Sequence, residues 1–276
     1  MKYQSALKAL LEWQSDLELP AVLADTPQNR LAAVPAASPV TSPQPGAAHA
    51  SASPAASVRT APAAETAAEL ARGAGTLEDL RAAIAGFEGL DIKKTAANMV
   101  FSDGNPQAPL MIVGEAPGSE EDRQGKPFVG KSGQLLDRIL SWIGLSRDAE
   151  DSERAVYIAN ILNWRPPGNR NPTPEEMAMS LPFIERHIAL VRPRCLLLCG
   201  GIATRALWNE SAGVTRIRGH WREYHPLTPG IETGENPIPA LATFHPSYLL
   251  RSPEQKRLVW RDFLELSTQL ERTTKS

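Results

Sequence analysis

The sequence predicts an α/β fold of three layers, with a central, mainly parallel, four-stranded sheet between helices. Two observations carry that prediction. Short, almost continuous apolar runs occur at residues 110–113, 156–161, 195–198 and 241–244, and such runs belong to strands buried on both faces. Segments with helical spacing alternate with them at 133–143, 174–191, 201–208 and 253–270. Strand and helix in alternation imply parallel strands joined by crossovers, with helices covering the sheet.

The elements follow in order. Residues 5–18 have an apolar stripe of Ala6, Leu7, Leu10, Leu11 and Trp13, so 1–30 is expected to hold an amphipathic helix. Residues 31–66 are nearly all Ala, Pro, Ser, Val and Thr, as in "AAVPAASPVTSPQPGAAHASASPAAS". With few large apolar side chains to bury, that stretch is expected to be a disordered, semi-extended linker. Compact sequence resumes near Ala67, so 67–276 is expected to be the folded domain. Its first helix starts at "TLEDLRAAIAGF", where Thr76 supplies an N-terminal cap.

Composition narrows the class. The 276 residues are 42% hydrophobic and 22% charged, with a formal net charge of -2. That excludes a strongly basic chain and leaves room for a local basic patch. No apolar run reaches the roughly 20 residues of a membrane helix, and "MKYQSALKALLEWQSDLELP" lacks a signal-peptide core. Two cysteines, Cys195 and Cys199, cannot build a disulfide framework or a four-cysteine metal site. Four apart on a strand, they share a face about 13 Å apart and are expected to be core thiols. A cytoplasmic, monomeric enzyme without a metal fits these features.

Ligands of such sheets bind where loops leave the carboxyl ends of the strands. The first strand runs into "GEAPG", residues Gly114, Glu115, Ala116, Pro117 and Gly118, and then "GKPFVGKSG" with Phe128, Lys131 and Ser132. The second ends in "YIANILNWRPPGNRNPTP", with Asn160 at the strand end and Asn169 in a Pro-rich loop. The third opens a helix with "LCGGIATRAL", and the fourth ends in "ATFHPSYLLR" with His245 at its tip. One edge thus collects a carboxylate, an aromatic plate, an amide and an imidazole. That set suits a small planar polar ligand and a reaction with water. "GKS" lacks the leading glycine of a phosphate loop, and Gly200–Gly201 does not match a dinucleotide fingerprint.

Together, "GEAPGSEEDRQGKPFVGKSGQLLDRIL", "YIANILNWRPPGNRNPTPEE" and "TFHPSYLLR" resemble the family 4 uracil-DNA glycosylases over about residues 95–266. The resemblance covers neither the N-terminal helix nor the linker. It implies a DNA repair hydrolase that flips uracil out of single- or double-stranded DNA and cleaves its N-glycosidic bond. Alternatives are a DNA-binding or covalent-adduct-forming module of the same fold, or a glycosylase for other deaminated bases. The adduct reading needs a histidine in an inserted loop, and "TRIRGHWREY" has His220 without an insertion.

The same resemblance implies roles. Phe128 would stack on the base, Asn160 would pair with its edge, and His245 would stabilise the leaving anion, helped by backbone N–H groups of the substrate-binding turn around Gly114, Ala116, Pro117 and Gly118. Glu115 would position or activate water, with Glu121 a weaker candidate, while Asn169 would order its loop. Lys131, Ser132, Arg216, Arg218, Ser247 and Arg251 would contact DNA, and Leu249 or Leu250 in the "SYLLR" loop would wedge into the vacated stack. The family also holds an iron–sulfur cluster on four cysteines, whose positions here are Phe87, Leu90, Trp164 and Ser180. Cluster ligation needs thiolates, so no cofactor is expected. The N-terminal helix could tether a protein partner.

Overall fold

The structure, a computed structural model, describes residues 54–274, with side chains described for 62–273. The amphipathic helix expected in 1–30 and residues 31–53 of the expected linker lie outside the described residues.

Six strands form one mixed sheet: β1 (Asp103–Gly104), β2 (Leu110–Gly114), β3 (Val156–Asn160), β4 (Cys195–Cys199), β5 (Trp221–Tyr224) and β6 (Ile238–Thr243), in the order β1-β3-β2-β4-β6-β5. The central four are the expected strands, and all their pairings are parallel. Every residue of β2, β3 and β4 is buried, which is why their sequences carry no alternation.

Among the described residues two antiparallel edge strands, β1 on β3 and β5 on β6, extend the expected four parallel strands to six. Neither has a signature to read. β1 is two residues long, and three of the four residues of β5 are partly or fully exposed, including Arg222 and Glu223. Short, charged strands protect a sheet edge from pairing with other chains.

Helices flank the sheet: α1 (Pro54–Gly73), α2 (Leu77–Gly86), α3 (Ser119–Gln124), α4 (Lys131–Trp142), α5 (Pro174–Val191), α6 (Gly201–Trp208), α7 (Val214–Ile217), α8 (Pro246–Arg251) and α9 (Lys256–Thr274). Thr76 caps α2 in a reciprocal capping box with Asp79, as its sequence predicts. Thr173 and Glu176 do the same for α5.

Two expectations change. Residues 54–66 were expected in the linker, yet α1 begins at Pro54. Alanine is both the best helix former and small enough for close packing; Ala67 and Ala71 are fully buried where α1 meets α5. Arg186 on α5 donates to the Ala74 carbonyl at 2.8 Å and fixes the end of α1. Composition alone reads the same alanines as low complexity. The "SYLLR" loop is instead the short helix α8, with Pro246 in its first turn and His245 as its cap.

Register positions the site. Gly114 pairs with Asn160 and Cys199 with Thr243, so the central strands end level with one another. The Gly200 amide donates to the Thr243 carbonyl at 2.9 Å. Four different loops therefore leave the sheet side by side.

Candidate active site

A cleft of about 710 Å³ opens at that edge, lined by Glu115, Phe128, Asn160, Gly200 and His245 among others. It is held in shape by Glu121. That carboxylate, 8% exposed, accepts from the amide of Gly118 at 3.2 Å and from those of Val129 at 3.0 Å and Gly130 at 2.8 Å. One side chain at the start of α3 thus ties the turn after β2 to the loop carrying Phe128. Glu115, by contrast, makes no side-chain hydrogen bond among the described residues. Burial pushes its carboxyl above the usual value.

Phe128 is buried, and its backbone adopts φ +53°, which is uncommon for an aromatic residue. Its ring stacks on His245 with centroids 5.3 Å apart and planes 28° apart. Gly114 lies beneath both polar and aromatic walls. A Cβ added there would sit 2.4 Å from Asn160 Oδ1 and 2.5 Å from the Phe128 ring. Both neighbours are buried, so neither can swing away. Gly114→Ala is therefore expected to lower excision about 100-fold through misplacement of these two groups, with a fall in melting temperature from overpacking that costs about 1–3 kcal/mol. A variant with unaltered activity would show that the cleft tolerates the methyl group.

Asn160 is 3% exposed at the end of β3. Among the described residues its side-chain amide makes no hydrogen bond, leaving both a donor and an acceptor for a ligand. His245 caps α8 through its ring: the Ser247 amide donates to Nδ1 at 3.1 Å, and Ser247 Oγ lies 2.8 Å from the same nitrogen. Nδ1 is thereby an acceptor, so the neutral ring carries its proton on Nε2. Burial, reinforced by the Arg251 charge and opposed by Glu121, pulls the imidazole down to about 4. At neutral pH the ring is an uncharged donor whose single N–H is left for the cleft.

The expected DNA contacts divide. Lys131 and Arg216 are exposed, and Arg251 and Ser132 line the cleft. Arg218 is corrected: it is bound to the buried Asp262 and donates to the Leu258 carbonyl at 2.8 Å, so it braces α9 instead of facing solvent. Leu249 is corrected as well. It is fully buried, whereas Leu250 is 47% exposed and is the only one of the pair placed to wedge. Ser247 has its hydroxyl and amide on His245 and acts first as its support. Asn169 is exposed, at φ +54°, and accepts from Arg165 at 2.8 Å within its own loop.

Sequence reading missed Arg170 and Arg205, which also line the cleft. Arg170 forms two bonds to Glu176 of the α5 cap. Arg205 is exposed on α6, the helix opened by the Gly pair at a strand end, and that placement was the available signal.

The four positions implied as cluster ligands by the family resemblance are all buried. Phe87, Leu90 and Trp164 belong to one apolar cluster, where Phe87 packs edge-on against Phe183 at 5.4 Å. The Ser180 hydroxyl is buried without a hydrogen-bond partner among the described residues. These residues do not fit an iron–sulfur cluster, which requires thiolates. Cys195 and Cys199 are buried on β4, and burial pushes their thiols up to about 11 and about 12.

Comparison with known proteins agrees with this geometry. The family model described as "Uracil DNA glycosylase superfamily" matches residues 101–264. The chain is 34% identical over 195 residues to a type-4 uracil-DNA glycosylase of Archaeoglobus fulgidus, covering 69% of this chain and 92% of that one. It is 39% identical over 168 residues to a type-4 uracil-DNA glycosylase of Thermotoga maritima, covering 60% and 79%. A type-5 uracil-DNA glycosylase of Pyrobaculum aerophilum is 31% identical over 159 residues, covering 50% and 70%. With the matched region spanning the whole strand-end cleft, this chain belongs to the uracil-DNA glycosylase superfamily.

Proposed function

We propose that this chain excises uracil from DNA, hydrolysing the N-glycosidic bond and leaving an abasic site. The observation that carries the reading is the neutral imidazole of His245, its Nδ1 occupied by Ser247, beside an unengaged, buried Asn160 amide and the Phe128 ring. The flipped base stacks on Phe128. The Asn160 amide donates to uracil O4 and accepts from N3–H, a pattern that cytosine inverts. As the C1′–N1 bond breaks, its electron pair moves into the uracil ring, and Nε2–H of His245 bonds the carbonyl oxygen where negative charge grows. Glu115 stabilises the cationic sugar and accepts a proton from the water whose oxygen bonds C1′. Lys131, Ser132, Arg216, Leu250 and Arg251 are the DNA contacts of this reading, and Arg205 joins them.

The test is an oligonucleotide carrying one uracil, incubated with purified protein and cleaved by alkali at abasic sites. Parallel substrates carry thymine, cytosine or hypoxanthine. Scission at uracil alone supports the reading; scission only at hypoxanthine would move the substrate class, and none at any base would sink it.

Acid should silence the enzyme through Glu115. Its carboxyl lies above the usual 4.5, and the water-activating form is the anion, so the rate falls as pH drops through that raised value. His245 stays neutral down to about 4 and does not set this limb. A single-turnover pH profile should show an acid limb that disappears in Glu115→Gln, whose residual rate is low and flat. A limb unchanged in the variant would assign the titration elsewhere.

The cluster-free state is part of the proposal. Apolar packing of Phe87, Leu90 and Trp164 supports it, filling the space by close contact. Purified protein should contain iron well below one atom per chain and retain full activity after chelation; four irons per active chain would overturn this.

A further inference from the structure

We propose that Arg147 is a positioning residue for the base-stacking ring of Phe128, an inference that rests on the reading of Phe128 as the plate for the flipped base. Arg147 follows α4 and lies outside the lining of the cleft. Its side chain is only 8% exposed, and it grips the backbone of the Phe128 loop. Nη1 donates to the Pro127 carbonyl at 2.9 Å and Nη2 to the Phe128 carbonyl at 2.8 Å. Two carboxylates hold the guanidinium in turn: Asp103 accepts from Nη1 at 3.0 Å, and Asp137 accepts from Nε at 2.9 Å.

The grip falls on a residue that needs holding. Phe128 sits in the left-handed region at φ +53°, where side chains other than Gly, Asn and Asp are uncommon, and such conformations persist only when the surroundings over-determine them. The first turn of α4 approaches the same carbonyl. A Cβ at Gly133 would lie 1.8 Å from the Phe128 oxygen, so only glycine allows the approach. The carbonyl is thus held by Arg147 and crowded by the first turn of α4, and Glu121 fixes the next two amides of the loop. With backbone held at 127 to 130, the ring direction follows. A planar fork reaching two carbonyls and two carboxylates at once is a geometry lysine cannot reproduce.

A purely structural ion pair would stabilise the fold without acting through Phe128, and a double-mutant cycle separates the two. Single-turnover excision of uracil is measured for Arg147→Lys and Arg147→Met, each with Phe128 present and in a Phe128→Ala background, with melting temperatures alongside. Arg147→Lys is expected to slow excision about tenfold with Phe128 present and less than about twofold without it, the coupling of residues acting as one unit. Gly133→Ala, pressing on the same carbonyl, should show the same dependence on background. Should Arg147→Met fail to fold, Arg147→Lys, which keeps a cation between Asp103 and Asp137, carries the cycle. Equal losses in both backgrounds, or no loss with Phe128 present, would overturn the proposal. Full activity of Phe128→Ala by itself would instead remove the stacking role on which it rests.

Discussion

His245→Ala is expected to slow single-turnover excision of uracil by about 10² to 10³-fold, the effect of removing one preorganised donor to a developing anion. The size follows from the state of the ring. Nδ1 takes the Ser247 amide, so the proton is on Nε2 before substrate arrives, and burial keeps the ring neutral down to about 4. A fixed neutral donor lining the cleft needs no reorganisation as charge develops. Because His245 also caps α8, the substitution removes a cap worth about 1 kcal/mol, and a modest fall in melting temperature should accompany the kinetic loss. His245→Gln restores a donor without the ring geometry and should recover only part of the rate. A His245→Ala enzyme within a fewfold of the parent would mean that backbone amides of the 114–118 turn carry the anion instead.

Asn160→Asp is expected to cost about 10³-fold or more on uracil at pH 8, since a site built to bond a polar edge loses heavily when one partner is wrong. The ionised side chain offers acceptors only and repels the lone pairs of O4. At a position 3% exposed, burial also favours the protonated acid, which regains one donor. Lowering the pH should therefore recover part of the uracil rate and admit cytosine, whose edge presents the reverse pattern. Rates on both bases at pH 6 and pH 8 decide it. Unchanged uracil excision at pH 8 would show that Asn160 does not read the base.

Much of the site was legible because its residues sit at strand ends. Glu115, Asn160 and His245 each end an apolar run, and an α/β sheet of parallel strands leaves only one edge for such loops. Residues whose role depends on distant contacts were not legible. Arg218 reads as a surface cation until Asp262, far along the chain, is found against it. Leu249 and Leu250 are adjacent and chemically alike, and only the turn of α8 decides which is buried. Arg147 lies outside every motif; it meets Asp103, Pro127, Phe128 and Asp137 only when the loop after α4 folds back.

By itself the sequence determined the α/β class, the four parallel strands, the helices over 174–191 and 201–208 and the chemical groups at the strand ends. Those features are local: apolar runs, caps and helical spacing are written within a few residues of where they act. The tertiary structure alone decided the two edge strands, the helix within the Ala-rich stretch, the tautomer of His245 and which charged side chains are available to DNA. Each of these depends on a partner brought in from elsewhere in the chain, and hydrogen-bond and packing partners at long range leave no periodic trace in the sequence.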